Sequence, residues 1–257
     1  MSNPLLEVNQ VSKHFGGVTA LCQVGFNIVP LQIKGLIGPN GAGKTTLFNL
    51  ISGLYPLDSG VILFKGKPVP KLPQHQINRM GIARTFQNVK LFPNLTVLEN
   101  VLVGSHNQMK AGLFSSALNL PWVIQEEKVF SHKAEELLSY VGLGGRSTLF
   151  ASALPFGQQR LLEIARALAT RPQLLLLDEP AAGLSIPERL SLVSLIKSIR
   201  QDLGISILLV EHDMDLVMKI CDEIVVLEYG QKIAEGVPET IQADRRVIAA
   251  YLGEEVC

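Results

Sequence analysis

Residues 38–46 restrict the possible folds of this chain more tightly than any other segment. They fit the pattern of a glycine, four residues and then Gly-Lys-Thr, preceded by an apolar pair and followed at residues 47–51 by helical spacing. A strand, a glycine-rich turn and a helix in this order predict a loop whose backbone N–H groups surround a polyphosphate. The predicted nucleotide-binding residues of the loop are Gly38, Pro39, Asn40, Gly41, Ala42, Gly43, Lys44, Thr45 and Thr46.

Two side chains of this loop carry separate predictions. Lys44 would place a positive charge at the β and γ phosphates, and the Thr45 hydroxyl would be a ligand of Mg²⁺. A glycine-rich turn that binds nothing is the alternative. The whole pattern should occur by chance in about one chain in a hundred of this length, and the flanking strand and helix make it rarer still. We therefore predict a nucleoside triphosphate site with Mg²⁺.

Composition limits the partners. The 257 residues are enough for one large α/β domain with its own core. Lysine and arginine number 23, as do aspartate and glutamate, so the zero net charge removes the electrostatic argument for nucleic acid as a general partner, although a local basic patch remains possible. With 47% hydrophobic and only 18% charged residues, some apolar surface is expected to be covered by other subunits.

The cysteines and the apolar runs point to a reducing compartment and to a chain that does not span a bilayer. The three cysteines, Cys22, Cys221 and Cys257, have no paired spacing, which indicates neither a disulfide framework nor a zinc site. Residues 1–10 lack the pattern of a secretory signal, and no run of 18 apolar residues occurs. Any work at a membrane is expected from one side.

The segments around the loop predict β structure first and helices later. Residues 6–11, 21–29 and 60–64 have the patterning of strands, whereas residues from about 89 to 153 become helical. A closing helix is expected at about residues 238–252. Phe15, between the first two strands, is either a core residue at a strand end or an exposed ring on which adenine stacks.

Two adjacent acids follow a run of four leucines at residues 174–177. Such a run predicts a strand buried on both faces, and its carboxyl end is where open parallel sheets place their ligands. Helix capping or loop charge is the ordinary explanation of such acids. Beside a phosphate-binding loop, Asp178 can instead hold Mg²⁺, and Glu179 can orient or deprotonate the water that attacks the γ phosphate.

Three further features are weak by themselves. Gln87 follows a short predicted strand, and His212 follows the apolar residues 207–210. Residues 154–160, with a proline and a glycine, lead into a helix with a core-facing stripe. Each is compatible with an ordinary loop, strand end or helix start.

Taken in order, these motifs make the chain resemble an ATP-binding subunit of an ABC transporter over essentially its whole length. Phe15 matches the adenine-stacking aromatic of that family, residues 38–45 match the Walker A loop, and Gln87 matches the glutamine of the Q-loop. Residues 154–158 match the signature, residues 174–179 match Walker B, and His212 matches the switch histidine. The resemblance implies that Glu179, His212 and Gln87 are catalytic. It also implies that Thr45, Gln87 and Asp178 surround the metal.

The resemblance implies a fold and a domain plan. The expected class is the α/β P-loop NTPase (RecA-like) fold, with a mixed, mostly parallel sheet, an N-terminal antiparallel β subdomain and an inserted α-helical subdomain. One ABC ATPase domain would cover residues 1–257. Residues 1–88 and 155–257 would form the nucleotide-binding core with the β subdomain, and residues 89–154 the helical subdomain.

It also implies an assembly. Two cassettes would face head to tail, so that the Walker A loop of one chain and the signature of the other hold each ATP. The signature residues expected to reach across are Leu154, Phe156, Gly157 and Gln158. Membrane permease subunits would dock near residues 88–101. A single chain should then hold ATP but hydrolyse it poorly.

Two residues depart from the family pattern. The usual signature serine is Pro155, which has neither a hydroxyl nor a backbone N–H. Ser185 stands where an aspartate is common in the D-loop. Contacts to the second chain through these two positions would therefore differ from the usual ones.

The chain is most similar to the larger ATPase of the branched-chain amino-acid uptake group. The resemblance rests on the Leu-Pro-aromatic-Gly-Gln-Gln-Arg signature, Ala-Ala-Gly-Leu after Walker B, residues 211–214 and the ending at residues 250–255, together with the insertion at residues 105–121. It implies that this chain pairs either with a second ATPase subunit or with another copy of itself. The pair would lie on the cytoplasmic face of the inner membrane. Two permease subunits and an external substrate-binding protein would complete the system.

Other functions remain open at this point. The chain could energise another transport system, such as lipid or polysaccharide export, or be an ABC-type ATPase that acts on nucleic acid or ribosomes. A small-molecule kinase could share the phosphate loop but would leave residues 154–160 unexplained. A scaffold that binds ATP only to dimerise is a further alternative, because Pro155 and Ser185 both fall in the expected interface.

Overall fold

The computed structural model describes residues 3–69, 72–85, 90–108 and 121–252. They divide into two compact units. The first unit consists of Met1–Arg84 and Gln173–Cys257, and the second of Thr85–Pro172. The sequence predicted that the nucleotide-binding core ends at residue 88 and resumes at residue 155, and these subdomain boundaries stay a prediction.

A six-stranded sheet forms the centre of the first unit. Its strands are β3 (Ile33–Ile37), β6 (Ile82–Arg84), β7 (Leu174–Asp178), β8 (Ser206–Val210), β9 (Glu223–Glu228) and β10 (Gln231–Gly236), in the order β10-β9-β3-β8-β7-β6. All neighbours are parallel except β10, which is antiparallel to β9. Strands β3, β7 and β8 are buried along their whole length, as strands covered on both faces are. The predicted mixed, mostly parallel sheet is confirmed.

A second, antiparallel sheet comes chiefly from the N-terminal part of the chain. It contains β1 (Leu6–Phe15), β2 (Val18–Ile28), β4 (Ser59–Phe64) and β5 (Lys67–Pro68), in the order β2-β1-β4-β5. A two-residue turn with Gly16 at φ +57° joins β1 to β2, which places Phe15 opposite Val18 at the hairpin end. Both strands extend further towards this turn than their apolar alternation predicted.

The helices of the first unit connect these strands. They are α1 (Lys44–Ile51), α2 (Gln74–Met80), α6 (Ile186–Leu203), α7 (Met214–Ile220), α8 (Pro238–Ala243) and α9 (Arg245–Leu252). The single closing helix expected at residues 238–252 is therefore two helices. Asp244 interrupts it, because its backbone is extended and its carboxylate accepts the N–H of Arg246 at 2.9 Å.

Helices build the second unit. They are α3 (Val97–Ser105), α4 (Pro121–Tyr140) and α5 (Phe156–Leu168), with short 3-10 turns at His106–Gln108 and Ala151–Ala153. Thr96 caps α3 in a box with Glu99. Gly104 lets α3 approach α5, since a Cβ there would overlap the carbonyl oxygen of Arg166. Residues 109–120, most of the predicted insertion, lie outside the described residues.

Apolar side chains from both sheets and from α1 form the main core of the first unit. Leu6, Leu36, Phe48, Leu176 and Leu208 belong to it and are fully or almost fully buried. Helix α1 is thus fixed against the sheet at the point where the phosphate loop begins. Among the residues described, none of the helices combines the length and the apolar character needed to cross a membrane.

Candidate functional site

The predicted phosphate loop connects the end of β3 to the start of α1. Its glycines have backbone angles that other residues rarely adopt, with φ at +148° for Gly38, +81° for Gly41 and +101° for Gly43. Gly43 is the N-cap of α1, so the first N–H groups of that helix open towards the loop. The arrangement is that of an anion site at a helix N-terminus.

The turn between β9 and β10 supports this loop. The N–H of Gly230 donates to the carbonyl oxygen of Ala42 at 3.1 Å, and the N–H of Cys22 donates to that of Gly230 at 2.8 Å. A Cβ on Gly43 would lie 2.7 Å from the carbonyl oxygen of Ala20. The loop therefore rests on backbone from both sheets, which fixes its shape.

Replacement of Gly38 by alanine is expected to damage the loop. A Cβ at this position would overlap the carbonyl oxygen of Leu227, and the φ of +148° disfavours any L side chain. We expect Gly38→Ala to cost about 2 kcal/mol or more of folding free energy and to weaken ATP binding. Denaturant unfolding and ATP titration measure the two effects. Gly17→Ala is the control, because a Cβ there meets open space; equal behaviour of both variants would contradict the close approach at Gly38.

Lys44 is folded back onto the loop. Its Nζ donates to the carbonyl oxygens of Gly38 at 2.6 Å and of Pro39 at 2.9 Å. Burial lowers the pKa of Lys44, while the nearby carboxylates of Glu179 and Asp178 raise it. The structure thus brings the cation of the phosphate loop together with both acids at the carboxyl end of β7.

Asp178 ends β7 and is held by a buried ion pair with Arg84. Arg84 Nη2 donates to Asp178 Oδ2 at 2.7 Å, and both side chains are 4% exposed. Arg84 Nη1 also donates to Asn49 Oδ1 at 2.6 Å and to Ser52 Oγ at 3.1 Å, at the far end of α1. Arg84 therefore joins the last residue of β7 to the helix that follows the phosphate loop.

Glu179 and His212 meet at the carboxyl ends of β7 and β8. Glu179 has the unusual φ of +47°, and its N–H donates to the carbonyl oxygen of Val210 at 2.9 Å. His212 Nδ1 lies 3.9 Å from Glu179 Oε2, and 63% of the His212 side chain is exposed. The parallel order of β7 and β8 explains why two motifs far apart in the chain share one edge.

Glu211 was not among the predicted site residues. Its side chain is buried, and its Oε1 accepts the N–H of Ala181 at 2.7 Å, which fixes the backbone just after Glu179. Burial raises the pKa of Glu211, while the Ala181 hydrogen bond and the neighbouring His212 lower it. The sequence shows Glu211 beside His212, but it does not indicate the hydrogen bond with Ala181.

Phe15 is 44% exposed at the end of β1 and belongs to the same unit as the phosphate loop. Its ring packs edge to face with that of Tyr55, with ring centroids 5.5 Å apart and an interplanar angle of 74°. The ring is therefore not enclosed in the core and is open to a stacking partner. Gln87 lies outside the described residues, so its catalytic and metal-binding roles stay predictions.

The signature residues lie in the second unit, at the start of α5. Pro155 is the N-cap with an extended backbone, and its carbonyl oxygen accepts the N–H of Gln158 at 2.9 Å. Phe156 is exposed and has the Arg160 guanidinium 5.2 Å from its ring centroid. Gly157 is half-buried and Leu154 is buried within this chain. The contact of the signature residues with a second chain stays a prediction.

Ser185, the residue in place of the D-loop aspartate, is the N-cap of α6. Its N–H and hydroxyl both donate to Glu188 Oε2, at 2.8 and 2.6 Å. The side-chain and backbone hydrogen bonds from Ser185 lower the pKa of Glu188. The serine thus has a local structural role in the start of this helix.

A glycine-rich loop between a buried parallel strand and a helix, with two acids and a histidine at the same sheet edge, defines a P-loop nucleotide-binding protein. The ABC transporter family matches residues 21–182, and a family described as "Branched-chain amino acid ATP-binding cassette transporter" matches residues 231–256. The chain belongs to the ABC transporter ATP-binding family, as predicted, and it is an ATPase of that family.

Individual relatives place the chain in the branched-chain subgroup. It is 47% identical over 254 residues to the high-affinity branched-chain amino acid transport ATP-binding protein LivG of Escherichia coli K12, covering 99% of this chain and 100% of the relative. The corresponding protein BraF of Pseudomonas aeruginosa is 43% identical, with the same coverage. A solved nucleotide-free ATP-binding cassette from an ABC transporter superimposes with a TM-score of 0.85 at 32% identity, covering 98% and 100% of the two chains. The predicted subgroup is confirmed.

Proposed function

We propose that this chain hydrolyses ATP to drive an importer of branched-chain amino acids. The observation that carries the proposal is the C-terminal match at residues 231–256, because that family is specific to branched-chain cassettes, whereas the nucleotide site is common to ABC ATPases. LivG and BraF, which match over 99% of this chain, are named for the same transport. These matches favour the importer over lipid or polysaccharide export and over work on nucleic acid.

The phosphates of ATP would bind at the N-terminus of α1. The backbone N–H groups of residues 40–43 and the ammonium of Lys44 would face the negative charge that ATP brings. Lys44 now donates to two carbonyl oxygens of the phosphate loop itself, and on ATP binding it would exchange them for phosphate oxygens. The ring of Phe15 would stack on adenine.

The donor set fits Mg²⁺. Thr45 is exposed on the first turn of α1, and the Asp178 carboxylate lies near Lys44 of that turn. Among the described residues, no group of three or more His, Cys, Asp and Glu side chains could hold a metal ion. The Thr45 hydroxyl and the Asp178 carboxylate are oxygen donors of the kind that hold Mg²⁺, an ion usually bound by few protein groups and completed by substrate phosphates. Thr45, Asp178 and Gln87 would hold the ion, which supplies neutralisation of phosphate charge.

Glu179 would orient or deprotonate the attacking water. Its carboxylate is partly exposed, and the hydrogen bond from its own N–H to Val210 fixes the backbone. Glu211 accepts the N–H of Ala181, two residues after Glu179. The backbone that carries the Glu179 carboxylate is therefore held on both sides. His212, 3.9 Å away, would hold the γ phosphate or the water from the other side.

Assembly completes the function. A second cassette, from a partner ATPase or a second copy, would supply Leu154, Phe156, Gly157 and Gln158. Permease subunits would dock near residues 88–101 and hold the chain at the cytoplasmic face of the inner membrane. An external substrate-binding protein would act only through the permeases.

Exposed apolar side chains in the second unit support the docking site. Phe92 is exposed within the docking segment, and Leu149 and Phe150 are exposed beside it. The N–H of Val97 donates to the carbonyl oxygen of Leu149 at 2.8 Å, which brings these two stretches together. Apolar groups clustered on a surface indicate a protein interface.

Co-purification tests the proposal. We expect the tagged chain to be recovered with two permease subunits from membranes, and the recovered complex to hydrolyse ATP faster than the isolated chain, because only the complex has complete sites. Phe92→Asp should reduce this recovery, and Lys128→Asp on an exposed face of α4 is the control. Recovery with nucleic acid or ribosomes, or equal turnover by the isolated chain, would contradict the proposal.

A further inference from the structure

Tyr55 and Phe15 form an aromatic pair at the edge of the first unit. Their rings meet edge to face, with centroids 5.5 Å apart at 74°. Phe15 is 44% exposed and Tyr55 37% exposed, so the pair is not part of the closed core. The exposed part of the Phe15 ring is the surface on which a planar base would stack.

A charged cluster holds the strand end that carries Phe15. Lys13 Nζ donates to Asp58 Oδ1 at 2.7 Å and lies 5.3 Å from the centroid of the Phe15 ring. The N–H of His14 donates to Asp58 Oδ2 at 2.6 Å. The hydrogen bond from Lys13 and that from the His14 N–H lower the pKa of Asp58. Asp58 therefore fixes the two residues directly before Phe15.

The segment that supplies Tyr55 and Asp58 is anchored at both ends. The N–H groups of Leu54 and Tyr55 donate to the carbonyl oxygen of Asn49 in α1, at 2.8 and 3.3 Å. The N–H of Asp58 donates to the carbonyl oxygen of Ser12 in β1 at 3.3 Å. Residues 54–58 thus connect the helix of the phosphate loop to the strand that carries the Phe15 ring.

We propose that Tyr55 is a positioning residue for the nucleobase, which holds the Phe15 ring in place for the adenine of an ATP bound at the phosphate loop. The proposal rests on the proposed function, since it assumes that adenine stacks on Phe15. An exposed ring at a hairpin end would otherwise lose rotamer freedom on binding, and prior packing against Tyr55 removes that cost from the binding step. Tyr55 acts through Phe15 and does not need to touch the base.

Binding of ATP and of inorganic tripolyphosphate to the full chain tests this role. Tripolyphosphate fills the phosphate loop but has no base. We expect Tyr55→Ala to raise the Kd of ATP by about threefold to tenfold, the range of an aromatic pair, and to leave the Kd of tripolyphosphate unchanged. Tyr55→Phe should restore ATP binding because the ring remains. Leu54→Ala, at an exposed apolar neighbour in the same segment, should leave both constants unchanged.

A double substitution separates positioning from direct contact. In Phe15→Ala, the further change Tyr55→Ala should have no effect on the Kd of ATP, because the ring to be positioned is gone. An unchanged Kd for ATP in Tyr55→Ala, an equal weakening of tripolyphosphate, or additive effects in the double variant would each overturn the proposal. If the unsubstituted chain binds neither ATP nor tripolyphosphate, the proposed function itself fails; if it binds both and only Tyr55→Ala is silent, the proposed function stands without this inference.

Discussion

Glu179→Gln is expected to lower ATP turnover of the assembled complex by about 10²–10⁴-fold, the usual contribution of a positioned general base. An amide keeps the size of the side chain but cannot take a proton from the attacking water. ATP binding should persist, because the phosphate loop and Lys44 are unchanged. Steady-state phosphate release and ATP titration measure the two properties.

Glu135→Gln is the matched control for this substitution. It makes the same chemical change on an exposed position of α4 and should leave turnover unchanged. If Glu179→Gln retains full turnover, Glu179 is not the general base. If it loses ATP binding as well, its main effect is on the shape of the site, since the positive φ of Glu179 makes the local backbone sensitive.

Arg84→Met is expected to destabilise the chain by about 3–5 kcal/mol, because it leaves the buried carboxylate of Asp178 without its cation. Both side chains of the pair are only 4% exposed, so water cannot replace the guanidinium. The substitution also removes the hydrogen bonds to Asn49 and Ser52 that reach α1. Denaturant unfolding of the full chain gives the change in folding free energy.

Two comparisons show whether this loss comes from the pair. Arg79→Met, at an exposed position of α2, should change the stability little. Adding Asp178→Asn to Arg84→Met should recover part of the loss, since the side chain at position 178 then carries no charge. Additive losses in the double variant would mean that Arg84 stabilises the chain through its packing and its hydrogen bonds to Asn49 and Ser52, and not through Asp178.

The phosphate loop and the two acids at the carboxyl end of β7 could be predicted from the sequence because their chemistry is local. Gly38, Gly41 and Gly43 are needed by backbone angles within one turn, and the lysine and threonine follow at fixed spacing. The four leucines before Asp178 indicate a strand buried on both faces by composition alone. The family resemblance then identified Phe15 and His212, whose patterns by themselves are common.

Strand and helix limits were less predictable where a side chain breaks or extends an element. Asp244 divides the closing helix by capping the second half, and an Asp within a helical pattern is also found on ordinary helix surfaces. Phe15 became part of β1 because the tight turn at Gly16 extends the pairing of β1 with β2.

The sequence by itself determined which residues are predicted to bind phosphate and metal, since that prediction depends on residue types within a few positions of each other. Only the tertiary structure decided what holds them. Arg84 reaches Asp178 across 94 positions of the chain, and Glu211 reaches Ala181 across 30. These pairs form because β6, β7 and β8 are adjacent in the sheet, an order that side-chain patterns do not encode. In the same way, the ring of Phe15 meets Tyr55 only after the antiparallel sheet and α1 are packed together.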